Sequence, residues 1–240
     1  MSSIRLEALE GLPEIRPGDD LPARLAALVP PGEGVLVVAQ KVVSKAEGRL
    51  VRLADVEPSA RAIELARACR KDPRHVEIVL RESRRVVRAV PDVLICETRH
   101  GLVCANAGVD FSNAPEDEMA VLLPLDPDGS AERIRRALGP GRGVIVSDTF
   151  GRPWREGLVD VAIGVAGMAP LRDLRGQGDR RGRELQVTVM AVADQIAAAA
   201  GLLMGKSLGL PAVWVTGVRP EGSGTLADLI RDPSRDLFRA

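Results

Sequence analysis

The 240-residue sequence predicts an α+β fold in which mixed sheets pack with helices. Apolar, β-branched runs of strand length occur at 34–44, 143–147 and 211–217. Helical periodicity occurs at 59–70 and, most strongly, at 184–204. The two kinds mix without a clean βαβ alternation, which disfavours a doubly wound sheet. With 45% apolar residues the chain can bury a substantial core. No linker marks a boundary, so residues 1–240 read as one domain or as two closely interwoven subdomains.

In chain order, residues 34–44 read as a buried strand that ends in a polar turn, Ser44-Lys45-Ala46-Glu47-Gly48. Residues 59–70 place Ala60, Ile63, Leu65, Ala66 and Cys69 along one side of a helix, and 75–85 form a shorter one. Residues 93–98 and 101–107 flank Arg99-His100 as a hairpin. Asp126-Pro127-Asp128-Gly129-Ser130 caps a helix over about 131–138. The strand at 143–147 delivers Asp148 to its C-terminal end, while 159–168 fits strand or helix equally. Residues 171–183 are an Arg/Gly/Asp-rich loop, 184–204 an Ala-rich helix ending at Gly205, and 211–217 a last strand. Residues 219–240 form a polar C-terminal tail with room for one short helix.

Thirty-three basic residues balance thirty-three acidic ones, so no global field favours nucleic acid or anionic lipid. Three Phe, two Trp and no Tyr leave few stacking platforms for single strands. The N-terminus lacks the apolar core of a signal peptide, and the longest apolar stretch, 196–204, is too short to span a bilayer. Cys69, Cys96 and Cys104 read as buried reduced thiols. A cytoplasmic protein without nucleic-acid or membrane partners is expected.

With two histidines and no cysteine pair at metal spacing, any chemistry falls to carboxylates and bound ions. Two acidic stretches stand out: Asn106-Ala107-Gly108-Val109-Asp110-Phe111-Ser112-Asn113 and Val146-Ser147-Asp148-Thr149-Phe150-Gly151-Arg152. Each puts a carboxylate among further oxygen donors where an apolar run gives way to a turn. Such donors suit magnesium or manganese against a phosphate. A turn residue or helix cap is the competing reading of each Asp. Lys45, on its turn, is placed to meet a phosphate as a point charge, although solvated lysines are commoner.

Other motifs fail as sites. Gly201-Leu202-Leu203-Met204-Gly205-Lys206-Ser207 has three residues between its glycines, where a P-loop needs four, and the order of elements around it is reversed. Asp126-Pro127-Asp128-Gly129 lacks the later ligands of a calcium loop. His75 and His100 lack partners at useful spacing and read as solvated.

Taken together, the segments resemble the coenzyme F420:L-glutamate ligase family. The likeness runs through Gly11-Leu12-Pro13-Glu14-Ile15, Gly18-Asp19-Asp20, Val43-Ser44-Lys45-Ala46-Glu47-Gly48-Arg49 and Cys104 to Asn113. It continues through Leu125-Asp126-Pro127-Asp128-Gly129-Ser130-Ala131, Ser147-Asp148-Thr149-Phe150-Gly151-Arg152, Gly182-Arg183-Glu184-Leu185, Leu202-Leu203-Met204-Gly205 and Pro211-Ala212-Val213, covering roughly residues 8–220. The resemblance implies that family's α+β fold as an intertwined homodimer, in the standalone form without the nitroreductase-like domain of some members.

It also implies a GTP-dependent ligase that adds L-glutamate by γ-linked amide bonds to coenzyme F420-0 through an acyl phosphate. Asp110, Asp148 and Thr149 would hold two divalent cations, magnesium or manganese, with potassium as a further candidate. Leu12, Pro13, Glu14, Ile15, Gln40, Lys41, Lys45, Asn113 and the loop carrying Leu203, Met204, Gly205, Lys206 and Ser207 would contact GTP. Asp110, Asp148 and Lys45 are then the catalytic set. Some members carry an acidic residue where this chain has Lys206. Two other readings stay open: a related amide ligase with a different carboxylate acceptor, and a non-catalytic GTP-binding protein.

Overall fold

A computed structural model describes residues 3–112, 118–205 and 208–236. The chain opens with strand β1 (Arg5–Ala8), helix α1 (Leu21–Leu28), strand β2 (Gly34–Ala39), helix α2 (Gln40–Ala46) and strand β3 (Leu50–Arg52). Helices α3 (Ala60–Cys69) and α4 (Pro73–Glu82) follow, then strands β4 (Ser83–Val90), β5 (Val93–Thr98), β6 (Val103–Ala105) and β7 (Met119–Val121). Helix α5 (Pro127–Leu138), strands β8 (Arg142–Arg152), β9 (Arg155–Ala166), β10 (Leu171–Asp173) and β11 (Val189–Ala191), helix α6 (Val192–Met204) and strand β12 (Ala212–Thr216) complete the order. Four of the helices start on a side-chain cap: Asp20, Ser59, Asp72 and Asp126 each accept from a backbone N–H of the first turn.

The main sheet has the order β1-β12-β2-β8-β9. Only β2 and β8 run parallel, so the sheet is mixed and the α+β class holds. Side chains alternate across it. Leu36, Val38, Val144, Val146, Ile163 and Trp214 face a core shared with α1 and α5. Val35, Val37, Ile145, Val165, Val213 and Val215 face a second core under α6. A third core lies elsewhere, where α3 and α4 cover the sheet β4-β5-β6 with Ala66, Val76, Val79, Leu94 and Cys96. The three cysteines are buried free thiols. No helix among the described residues is long and apolar enough to cross a membrane.

Several boundaries differ from the sequence reading. The run 34–44 is not one strand: it turns into α2 at Gln40, so Lys45 sits in the last helical turn and is buried, not on an exposed turn. The cause is tertiary. The Gln40 amide is buried and donates to the Leu122 carbonyl (3.0 Å) and to Ser44 Oγ (2.6 Å), bonds that a continuing strand would forgo. Asp148 is not at a strand end, because β8 runs on to Arg152 beside β9. What ends there is β2, whose last pairing is Ala39↔Ser147.

The helix expected over 184–204 begins only at Val192, after β11 pairs with β10. Residues 159–168 resolve as the second half of β9. Strands β1 and β4 went unread, and the described part of the tail holds two single-turn helices, Leu226–Asp228 and Pro233–Arg235. His75 and His100 are half-buried, and each has a partner. His75 stacks on Phe111 with ring centroids 3.8 Å apart, and His100 Nε2 lies 3.1 Å from the Leu125 carbonyl.

Candidate active site

Where β2 gives way to α2, the main sheet opens into a cleft of about 780 Å³. Its polar lining comes from Gln40, Lys41 and Lys45 of α2 and from Asp110, Asp148, Thr149 and Asp160. Its apolar lining comes from Leu12, Pro13 and Ile15, from Leu158 and Val159, from Leu202, Met204 and Gly205 at the end of α6, and from Gly209, Leu210 and Pro211. Glu14 joins the first of these segments. Residues far apart in sequence thus meet in a concave, partly apolar space of ligand size.

Backbone geometry places the two central carboxylates. Asp110 follows a tight turn in which Asn106, Ala107 and Gly108 all take left-handed φ values of 52°, 52° and 72°. Two of these are not glycine, so local strain of order 1 kcal/mol or more at each is held in place by the surroundings. A Cβ on Gly108 would meet the Leu123 side chain at 2.7 Å. Beyond the turn, Asp110 is clamped to Val121 by two backbone bonds, 3.0 and 2.7 Å. On β8 the register slips between Val146↔Gly164 and Ser147↔Ala162, an extra residue on β9 immediately before Asp148. Such bulges re-aim side chains near sites. After it, Thr149 and Asp160 face each other as register partners.

The polar groups are connected. Lys41 Nζ lies 2.7 Å from Asp110 Oδ2 and 2.9 Å from Ser112 Oγ. Ser112 N–H donates to Asp110 Oδ1 at 2.7 Å. Burial pushes the Asp110 carboxyl up, but Lys41 and the two Ser112 donors outweigh it and hold it below its ordinary value. Asp148 has less relief, from the Thr149 N–H and the Lys41 charge. Burial first, then the neighbouring Asp110 and Asp160 charges, push it up to about 6 against the Thr149 N–H that favours its ionised form. Burial and the Asp148 charge together push the nearby Cys104 thiol up to about 12. Lys45 Nζ pairs with Glu14 Oε1 at 2.6 Å, and Thr149 Oγ1 donates to Asp160 Oδ1 at 2.6 Å.

The donor set is hard oxygen throughout, which fits magnesium or manganese better than a softer ion. Among the described residues no three Asp, Glu, His or Cys side chains converge as a ready metal cage.

The cleft therefore gathers Leu12, Pro13, Glu14, Ile15, Gln40, Lys41, Lys45, Asp110, Asp148, Thr149, Met204 and Gly205 from the sequence-derived set. Leu203 is not among its lining residues and packs instead against the core under α6, because it falls on the inner face of that helix. Asn113, Lys206 and Ser207 lie outside the described residues. Asp160, Gly201 and Leu158 line the cleft and were missed. The one sequence signal for Asp160 was an acidic residue within the apolar run 159–168.

Comparison with known proteins agrees in extent. The family model described as F420-0:Gamma-glutamyl ligase matches residues 11–217. The chain is 48% identical to the coenzyme F420:L-glutamate ligase of Methanopyrus kandleri, over 100% of this chain and 99% of that protein. It is 46% identical to the protein of that name from Methanothermobacter thermautotrophicus, over 98% and 99% of the two chains. Against the Archaeoglobus fulgidus protein the identity is also 46%, over 96% and 94%.

Proposed function

This chain belongs to the F420-0:gamma-glutamyl ligase family, and from that premise we propose that it joins L-glutamate to coenzyme F420-0 through a γ-linked amide bond, with GTP as phosphoryl donor. The acceptor and the amino acid follow the name its relatives carry along their whole length. The observation that carries the reading is the cleft itself. Two lysines and three aspartates line it together with apolar side chains that can shield a reactive intermediate.

A carboxylate is a poor acyl donor. In the proposed reaction its oxygen attacks the γ-phosphorus of GTP, the bond to the β-phosphate oxygen breaks, and GDP leaves. The amine of glutamate then attacks the acyl carbon of the acyl phosphate, the C–O bond breaks, inorganic phosphate departs and the nitrogen loses a proton. Phosphoryl transfer needs mainly positioning and charge neutralisation. Lys45 and Lys41 supply fixed positive charge, each now held by a carboxylate, Glu14 or Asp110, that a phosphate would replace or share. Magnesium or manganese, held by Asp110, Asp148 and Thr149 with phosphate and water oxygens, would supply further neutralisation of the transferred group. Leu12, Ile15, Leu158 and Leu210 would exclude water, which would otherwise hydrolyse the acyl phosphate.

Incubation with GTP, manganese, glutamate and F420-0, followed by mass spectrometry of the products, tests this. The expected result is a glutamyl-extended coenzyme, with GDP and phosphate released only when both co-substrates are present. Release with neither requirement, or no release, sinks the reading; extension of some other carboxylate alone sinks the acceptor. A homodimer belongs to the same proposal. It is supported by large apolar side chains exposed on the cleft, Leu158 and Leu202, which is 84% exposed, and by exposed Trp154 at the β8–β9 turn. Sedimentation velocity at micromolar concentration should give a dimer, and a monomer there would refute it.

A further inference from the structure

Thr149 and Asp160 sit opposite each other across β8 and β9, and both line the cleft. The hydroxyl of Thr149 donates to Asp160 Oδ1 at 2.6 Å. A hydroxyl has one proton and two lone pairs. With the proton committed to Asp160, what Oγ1 can offer anything else is lone pairs alone. Without it, the proton is free to point into the cleft, where it would repel a cation.

A second contact bears on the same carboxylate from another direction. Gly201 lies in the interior of α6, where glycine costs roughly 1 kcal/mol relative to alanine. A Cβ there would stand 2.2 Å from Asp160 Oδ2 and 2.9 Å from its Cγ. The aspartate side chain is too short to give way and still reach Thr149. Gly201 thus leaves the room in which Asp160 keeps its hydrogen bond, and it too lines the cleft.

We propose that Asp160 is a positioning residue of the active site, seated by Gly201, which takes the Thr149 hydroxyl proton as acceptor and so turns the Oγ1 lone pairs toward a divalent cation. The proposal rests on the reading of Thr149 as a cation ligand. Asp160 acts through Thr149 and does not itself touch the ion. Partners of this kind commonly govern metal affinity by ten- to a hundredfold.

Electron paramagnetic resonance of free Mn2+, titrated onto the protein with GTP and no acceptor, reads that affinity without turnover. Asp160→Ala should weaken Mn2+ binding about tenfold, and Thr149→Ala by a similar factor. The double variant should be no weaker than either single one. Asp160→Asn should retain most of the affinity, because its amide oxygen can still accept the proton. Gly201→Ala should reproduce the loss seen in Asp160→Ala while melting no lower than the wild type. Unchanged affinity in Asp160→Ala overturns the proposal, and additive losses in the double variant overturn it in favour of direct ligation. Asp148→Asn separates the premise: if the wild type binds no Mn2+, or Asp148→Asn binds it equally well, the cation reading fails and takes this proposal with it. A loss in Asp148→Asn beside no loss in Asp160→Ala sinks the positioning role alone.

Discussion

Asp148→Asn should make the metal-free protein more stable while disabling the enzyme. The Asp148 carboxyl rises from 3.8 to about 6 through burial first, then the Asp110 and Asp160 charges. Its folded value lies above its unfolded one, so the neutral form is favoured in the folded state. The penalty for keeping it charged is absent below 3.8, grows between 3.8 and about 6, and is complete above. At about 1.4 kcal/mol per pH unit the gap sets a ceiling of roughly 3 kcal/mol. Water in the cleft screens the charges and lowers this to about 1–2 kcal/mol. Asparagine keeps the shape and removes the charge. Urea unfolding in EDTA should show the variant about 1–2 kcal/mol more stable than wild type at pH 7.5, the difference closing by pH 4. Ligation should fall by at least about a hundredfold, as when one transition-state charge partner is removed. A variant less stable by the same amount at both pH values would refute the electrostatic argument. Full activity would refute the assignment of Asp148 to the reaction.

Lys45→Ala should raise the KM for GTP about tenfold, or ~1.4 kcal/mol of binding, with little change in melting temperature. The Glu14 partner it leaves has a side chain 67% exposed and is readily solvated. Initial rates against GTP concentration decide this, and an unchanged GTP dependence would count against a phosphate role. Glu77→Ala should cost about 1–3 kcal/mol at pH 7, because the carboxylate accepts from the Ser59 N–H at 3.0 Å and from Arg81 Nε at 2.9 Å. Ser59's donors, more than Arg81, hold Glu77 below 4.5, so this contribution is complete above 4.5 and lost as pH falls through the lowered value. Paired denaturant titrations at pH 7 and pH 3 should show the difference shrinking. Gly164→Ala should lower stability by about 1–3 kcal/mol, since its Cβ would stand 2.4 Å from the Pro127 carbonyl oxygen, a backbone atom at the start of α5. An unchanged thermal midpoint would show that α5 can move away.

The elements that sequence read well have strong local signals: the cap at Asp126, the helical periodicity of α3, and apolar runs at β5 and β12. Where the reading failed, a distant contact decided. Val42 and Val43 speak for strand, yet Gln40 bonds Leu122 and the segment coils. Arg84, Arg85 and Arg88 obscured the alternation of β4, and α6 looked too long because Ala-rich residues run on from an extended approach. In the site, Asp110 and Asp148 stood out because oxygen donors follow each within the next two residues. Asp160 did not, because its partner Thr149 faces it only through the register of a long hairpin, and Gly201 only through helix packing.

The two central carboxylates stand on different foundations. Asp110 is flanked by Val109 and Phe111, which pack into the core beneath α3 and α4. Asp148 rides on β8, whose apolar residues fill the cores of the main sheet. Ties that span the two regions near the cleft include Gln40 to the Leu122 carbonyl, Arg49 to the Leu123 carbonyl and to Glu82, and Lys41 to Asp110. A ligand held by both aspartates would therefore couple the opening free energies of the two cores. Amide hydrogen exchange gives this a signature at a distance. On ligand binding, the slowest-exchanging amides in α3, which contributes no residue to the cleft, should gain protection together with those of β8.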